Sequence, residues 1–331
     1  MRHRYVFSLF LSACLLAGAA GPGRLAAEAS SPAIYQPIVG NLNQGHANDA
    51  IAQLQAELAR DPRDAEAHNL LGRVYFQEER WKDSVAECER AVQLQPGNSN
   101  YHLWLGRAEG ELAEHSNLIA AYSLAKKVHQ EFEKSVRLSP TNVAALADLG
   151  EYLVEAPGFL GGSMDRAQQI AERLTPLDAS RAHDLRAQMA SKRKDFSTAE
   201  HELQLAVQTS SHPAESWMDL ASFYARQKNY SAMQQAIRQG LQANPTDGQA
   251  LVHAASILIR NRQDARQAAA MLRQYLASAQ RSEDAPAFQV HVQLGKLLAM
   301  QGDATGAKQQ FARANQLASD YVPARRLPLQ S

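Results

Sequence analysis

Positions 34 residues apart in this chain carry the same kinds of side chain, and no other feature restricts the fold as strongly. His68, Leu71, Gly72 and Tyr75 align with His102, Leu105 and Gly106, with Trp217, Leu220, Ala221 and Tyr224, and with His291, Leu294, Gly295 and Leu298. A second set follows nine to twelve residues on: Ser84 and Cys88, Ala199 and Leu203, Met233 and Ile237, Ala307 and Phe311. Pro62, Pro96, Pro140 and Pro245 close units. A proline cannot continue a helix, so each marks a turn into the next unit.

Within a unit the apolar positions follow helical spacing, and Ala, Leu, Gln and Arg, which lose little freedom in a helix, are abundant. Gly72, Gly106, Gly150, Ala187, Ala221, Ala255 and Gly295 share one helix position, where a small side chain admits close approach of a second helix. Leu71, Leu149, Leu220 and Leu294 fill the groove beside it. This pattern resembles the tetratricopeptide repeat, a helix–turn–helix unit, and Ala214 to Asp247 matches it best. Unit starts fall near 31, 65, 99, 143, 180, 214, 248 and 288, the first degenerate because Pro32 and Pro37 interrupt it. The resemblance implies an all-α, right-handed superhelical solenoid of seven to eight hairpins. Each buries its apolar face by stacking on its neighbours. It also implies a concave face that holds protein or peptide segments, and binding rather than catalysis.

The period breaks twice. Between the starts at 99 and 143 ten residues are added, within 111–127, which predicts a second helix lengthened at its front end over Asn117 to Leu138, with Ser116 able to cap it. The other break is the loop 156–163. Pro157 stops the preceding helix, Gly158, Gly161 and Gly162 relax the backbone, and Ser163 caps the next helix, with Asp165 in its first turn. Phe159 and Leu160 call for burial, and Leu118, Ile119, Tyr122 and Ala125 of the lengthened helix are expected to cover them. Tyr152, Ala156, Pro157, Gly158, Gly161, Gly162, Ser163 and Ala167 also resemble the Tyr–x–x–x–Ala–Pro–Gly–x–x–Gly–Gly–Ser stretch of a group of bacterial exported repeat proteins.

The chain opens with Arg2, His3 and Arg4, an apolar run and the small-residue site Ala27-Glu28-Ala29, an export signal over 1–29 with cleavage before Ser30. Leu11-Ser12-Ala13-Cys14 offers a lipobox alternative that would anchor an envelope protein through acylated Cys14. The expected location is the periplasm. Domain expectations are a degenerate repeat at 30–64, an array at 65–321 and a tail at 322–331. No later apolar stretch is long enough to span a membrane, so none is expected in the mature chain. That chain would carry 31 basic and 33 acidic residues. This balance argues against nucleic acid as a partner, because phosphate binding needs a clustered positive excess. Cys88 would be its sole cysteine, leaving packing to supply stability.

No catalytic or cofactor constellation emerges. Gly161-Gly162-Ser163-Met164 lacks the Gly-Lys-Ser/Thr of a phosphate loop and no strand precedes it. His68, His102, His183 and His291 occupy one repeat column, too far apart to converge on a metal. Cys88 lies in an apolar column and reads as buried and inert. No cofactor or metal is expected, and the chain reads as no enzyme. Candidate partner-binding residues are Arg73, Arg107, Lys192, Arg226, Arg260 and Lys296, at first-helix positions that face inward in this family, with Glu66, Glu111 and Glu151 interspersed. The expected function is a protein-interaction scaffold of the cell envelope. The alternative is a small-ligand or transport-accessory protein with a pocket between helix 117–138 and loop 156–163.

Overall fold

The computed structural model describes residues 33–321, and among these every regular element is helical. The expected export signal over 1–29, with Cys14, and the expected tail at 322–331 lie outside the described residues. A 3-10 turn at Ala33–Tyr35 leads into α1 (Gln36–Gln44) and α2 (Ala47–Arg60). Then come α3 (Ala65–Gln77), α4 (Trp81–Leu94), α5 (Ser99–Glu114), α6 (Leu118–Leu138), α7 (Val143–Glu155), α8 (Met164–Leu174), α9 (Ala179–Lys192) and α10 (Phe196–Thr209). The last hairpins are α11 (Pro213–Arg226) with α12 (Tyr230–Ala243), α13 (Gly248–Arg260) with α14 (Ala265–Ala277), and α15 (Ala287–Met300) with α16 (Ala304–Leu317).

Local chemistry places these boundaries. Asn98, Asn142, Asp178, Asp247 and Ser163 each accept a backbone N–H of the helix they open, satisfying donors that have no partner inside the helix. Asn117, not Ser116, caps α6; the Ser116 hydroxyl instead donates to the Leu112 carbonyl at 2.6 Å. Between first and second helices six of the eight described hairpins turn through one left-handed residue: Gly45, Glu79, Lys194, Lys228, Arg262 and Gly302. These turns keep the 34-residue period, as 45 to 79 and as 194 to 228 to 262. Their non-glycine members accept a conformation that L residues usually avoid, because the helix-ending geometry demands it.

The histidine column has a structural explanation. Nδ1 of His68, His183 and His291 bonds Glu87, Glu202 and Gln310 at 2.6, 2.7 and 2.7 Å, each 19 residues ahead on the second helix. His102 reaches Glu131 at 2.5 Å, 29 residues ahead. The ten extra residues therefore sit before Glu131, and α6 is back in register from there.

Helix contact depends on the small column. A Cβ on Gly72 would meet Cys88 Sγ at 2.6 Å, one on Gly106 would meet Phe132 at 2.6 Å, and one on Gly295 would meet Phe311 at 2.3 Å.

The chain divides into two compact units. One comprises Asp61–Phe76 and Trp81–Ser211; among described residues the other comprises 33–60, Gln77–Arg80 and 212–321. The first has its core in α5 to α9, including Leu103, Phe132, Leu146, Leu149, Leu153, Leu174 and Leu185. In the second, α11 to α16 share a core around Met218, Ile237, Leu258, Leu272 and Tyr275. The α1–α2 hairpin belongs to this second unit although hundreds of residues separate it from α15 and α16. Gly45 lies against Pro286 and Ala287 with no room for a Cβ. Asn48 donates to Gln316 O at 3.0 Å and accepts from the Ser319 hydroxyl and amide at 3.0 Å. Repeat spacing contains no signal for this pairing of the first hairpin with the last.

Gly106→Ala is expected to cost about 1–3 kcal/mol by overpacking Phe132. Phe132→Leu in the same chain should recover part of that loss, because the two side chains share one space. Chemical denaturation of the two single variants and the double variant measures both effects.

Candidate functional site

In the first unit the faces of α3, α5 and α7 are joined by polar contacts. The Tyr101 hydroxyl donates to Glu66 at 3.0 Å. The guanidinium carbons of Arg73 and Arg107 each lie 4.8 Å from the Trp104 ring centroid, close enough for cation–π attraction. Arg107 also donates to Asp148, Nε to Oδ2 at 2.6 Å and Nη2 to Oδ1 at 3.4 Å. Lys192 bonds the Glu155 carboxylate at 2.7 Å. Arg107 and Lys192 therefore each face a carboxylate of α7, and Arg73 is buried beside the indole.

Several polar atoms on these helices have no partner among the described residues. Asn69 is fully buried with neither amide atom bonded, and Trp104 Nε1, Glu151 Oε1 and Gln188 Oε1 are also buried and unbonded. Burial pushes the Glu151 carboxyl up to about 8, reinforced by the Asp148 and Glu155 charges and opposed by Arg181 and Arg107. It is therefore mostly protonated at pH 7 and able to donate a hydrogen bond. Asn69 and Trp104 escape sequence reasoning, because repeat columns identify packing positions and these two lie between them.

The loop between α7 and α8 is fixed from below. The Tyr152 hydroxyl lies 2.9 Å from Ala125 O and 2.8 Å from Leu160 O, joining the lengthened α6 to the loop. His129 of α6 stacks on Tyr152 with centroids 5.1 Å apart, and its ring covers Gly161, whose φ of +97° suits glycine. Gly162 passes so close to the Ala156 carbonyl that a Cβ has no space. Pro157 accepts the amides of Leu160 and Gly162 at 2.9 and 3.1 Å, Gly158 accepts that of Gly161 at 3.0 Å, and Ser163 accepts that of Arg166 at 3.3 Å. Leu160 is buried as expected. Phe159 is not: it is 70% exposed, stacked at 6.3 Å on Tyr122, while Leu118 and Ile119 stay exposed at 56% and 85%. The 3-10 turn at Gly158–Leu160 is only three residues long, so it can turn one of its two bulky side chains inward and not both.

In the second unit Ser222 Oγ and His253 Nε2 share a hydrogen bond of 3.1 Å between α11 and α13, and Gln293 of α15 donates to Ser256 of α13 at 2.9 Å. Arg226, Arg260 and Lys296 are exposed on these same helices. Burial, then the charges of Arg260 and Arg226, depresses His253 to about 4, so its imidazole is neutral at pH 7.

Cys88 is buried, its thiol pushed up by burial to about 12. Among the described residues no group of three His, Cys, Asp or Glu side chains could hold a metal, and no helix is long and apolar enough to cross a membrane.

The architecture is that of an all-α helical-repeat protein. Tetratricopeptide-repeat family models match residues 41–99 and 214–247. Together with the hairpin register, these matches show that the chain carries tetratricopeptide repeats. Such repeats support a protein-interaction scaffold. No curated protein matches it. Among solved structures, a thermophilic TPR protein from Thermus thermophilus aligns with a TM-score of 0.45 and 18% identity, over 59% of this chain and 99% of its own. A tetratricopeptide repeat protein from Parabacteroides merdae aligns with a TM-score of 0.42 and 13% identity, over 88% and 98%. The crystal structure of MamA aligns with a TM-score of 0.40 and 17% identity, over 49% and 88%. The repeat itself, not these neighbours, carries the assignment.

Two buried groups can be tested directly. Folded Glu151 titrates near 8, above the ordinary carboxylate value of 4.5. Its contribution to stability is therefore intact below the ordinary value and is lost as pH rises toward 8. Glu151→Gln should leave the melting temperature near pH 4.5 almost unchanged and raise it at pH 9, by the equivalent of about 1–3 kcal/mol, which thermal melts across pH would measure. Cys88 should resist a thiol reagent in the native protein at pH 8 and react once denaturant is added.

Proposed function

We propose that this protein is a non-enzymatic scaffold of the cell envelope that holds a segment of a partner protein on the faces of its first helices. One observation carries the reading: on first helices of the second unit, Arg260 and Lys296 are exposed and have neither an ion pair nor a side-chain hydrogen bond among the described residues. The export signal at 1–29, cleaved before Ser30, supports an envelope location, with lipid attachment at Cys14 as the alternative. Mass spectrometry of the mature N-terminus separates the two.

A second reading, a small-ligand carrier, is favoured by the edge formed by α6 and the loop. There the Tyr122–Phe159 stack is joined by Leu118 and Ile119, four exposed apolar side chains in a single region. Native mass spectrometry of the purified protein would reveal a retained small molecule.

A photo-crosslinking residue placed at Gln188 or Arg260 in the native host should capture a protein partner. The same residue at Glu172, exposed on the second helix α8, should capture none. Equal capture at all three sites, or none at the first two, would refute the scaffold reading.

A further inference from the structure

We propose that the edge formed by the front of α6 and the loop after α7 docks on an anionic lipid surface, with Leu118, Ile119, Tyr122 and Phe159 entering its headgroup region. Such docking is independent of the scaffold reading and gives the edge an occupant other than the small molecule of the second reading.

The four side chains form one patch. Leu118 and Tyr122 are four residues apart on α6, and Ile119 and Tyr122 three apart, so the three share one side of the helix. Phe159 joins them from the loop by stacking on Tyr122 at 6.3 Å. The fold holds its ring outside. Tyr152 anchors Leu160 O from below, His129 closes over Gly161, and Gly162 is pressed against the Ala156 carbonyl. The backbone that presents Phe159 is thus fixed before any contact is made, which lowers the ordering cost of insertion.

Area and shape select the occupant. A stable protein interface takes about 800 Å² and roughly 20–30 residues from each partner, far more than this patch offers. A small-molecule site is a concavity that covers most of its ligand, whereas Ile119 is 85% exposed and Phe159 70%. A lipid surface needs neither an extended counterpart nor a cavity. It takes up a few projecting apolar groups, and aromatic rings collect at its interface. Among the described residues no helix is long and apolar enough to cross a bilayer, so the contact lies at the surface.

Charge makes that surface anionic. From Asn117 to Gln130 α6 contains no acid, and the loop 156–164 contains no charged residue. Lys127 is engaged by Glu89 and Glu109 at 3.2 and 3.3 Å. Lys126 has no acid partner among the described residues; its ammonium lies 4.4 Å from the Tyr122 ring centroid, at the rim of the patch. Its apolar stem lets the charge stay at headgroup level while the ring goes in. α6 also begins at this edge, so the positive end of its dipole adds to that charge. The flanking acids are Glu114, which ends α5 and whose carboxyl burial holds above the ordinary value, and Asp165, in the first turn of α8.

The probe is a vesicle of equal parts phosphatidylglycerol and phosphatidylcholine, sedimented with the mature chain from Ser30, which lacks residues 1–29 and retains every described residue. Saturable binding is expected. It should fall roughly tenfold in an Ile119→Ser, Phe159→Ser double variant and about fivefold in Lys126→Gln. Met300→Ser removes a comparably exposed apolar side chain of the second unit and should leave binding unchanged. Far-ultraviolet circular dichroism establishes that the double variant is folded. An environment-sensitive dye on Ile119→Cys should shift to the blue when vesicles are added, while buried Cys88 stays unlabelled. The inference is overturned if the chain does not sediment with the vesicles, if the double variant or Lys126→Gln binds as well as the parent, if Met300→Ser loses as much as the double variant, or if the dye does not shift. It is also overturned if a photo-crosslinking residue at Ile119 captures a protein and no lipid, or if native mass spectrometry finds a small molecule that the double variant no longer retains. None of these outcomes bears on capture at Gln188 or Arg260, so the scaffold reading stands or falls separately.

Discussion

The fold depends on close contact between a small residue on each first helix and a larger side chain on a nearby helix. Gly72 against Cys88, Gly106 against Phe132 and Gly295 against Phe311 leave no room for a methyl group. This approach brings backbones near enough for the histidine-to-acid bonds to form beside it, from His68 to Glu87 and from His102 to Glu131. Dispersion at such contacts is short-ranged, and a gap of about half an ångström already forfeits much of it. A chain that repeats the small residue therefore repeats the whole hairpin.

With hairpin geometry set this way, the surface is free to vary. The first unit uses that freedom for an acid-rich α7 whose charges are answered by Arg107 and Lys192. The second places cations on helices α13 and α15, which carry no acid. Two stretches of a single repeat can thus present different electrostatics on the same scaffold.

The inserted elements follow the same logic. The added residues of α6 lie before Glu131, so the histidine bond survives the insertion. Tyr152 then bonds both Ala125 on the lengthened helix and Leu160 in the loop, and His129 covers Gly161. Helix and loop form one elaboration because a single hydroxyl serves both. Its glycines serve the turn: Gly161 supplies a left-handed backbone and Gly162 a close backbone crossing.

Much of this was legible in the sequence, because helix starts, small columns and closing prolines are local or periodic signals. The unit starts read from the repeat near 65, 99, 143, 180, 214, 248 and 288 agree within a residue with helices beginning at Ala65, Ser99, Val143, Ala179, Pro213, Gly248 and Ala287. The order of residues also settles which side chains carry charge on the first helices. Long-range packing settles which charges meet: that Asp148 engages Arg107, that Asn69 is buried without a partner, that Phe159 stays outside while Leu160 goes in, and that the first hairpin packs on the last. Each of these depends on the positions of side chains distant in sequence, and a period of 34 residues constrains only the contacts that recur with it.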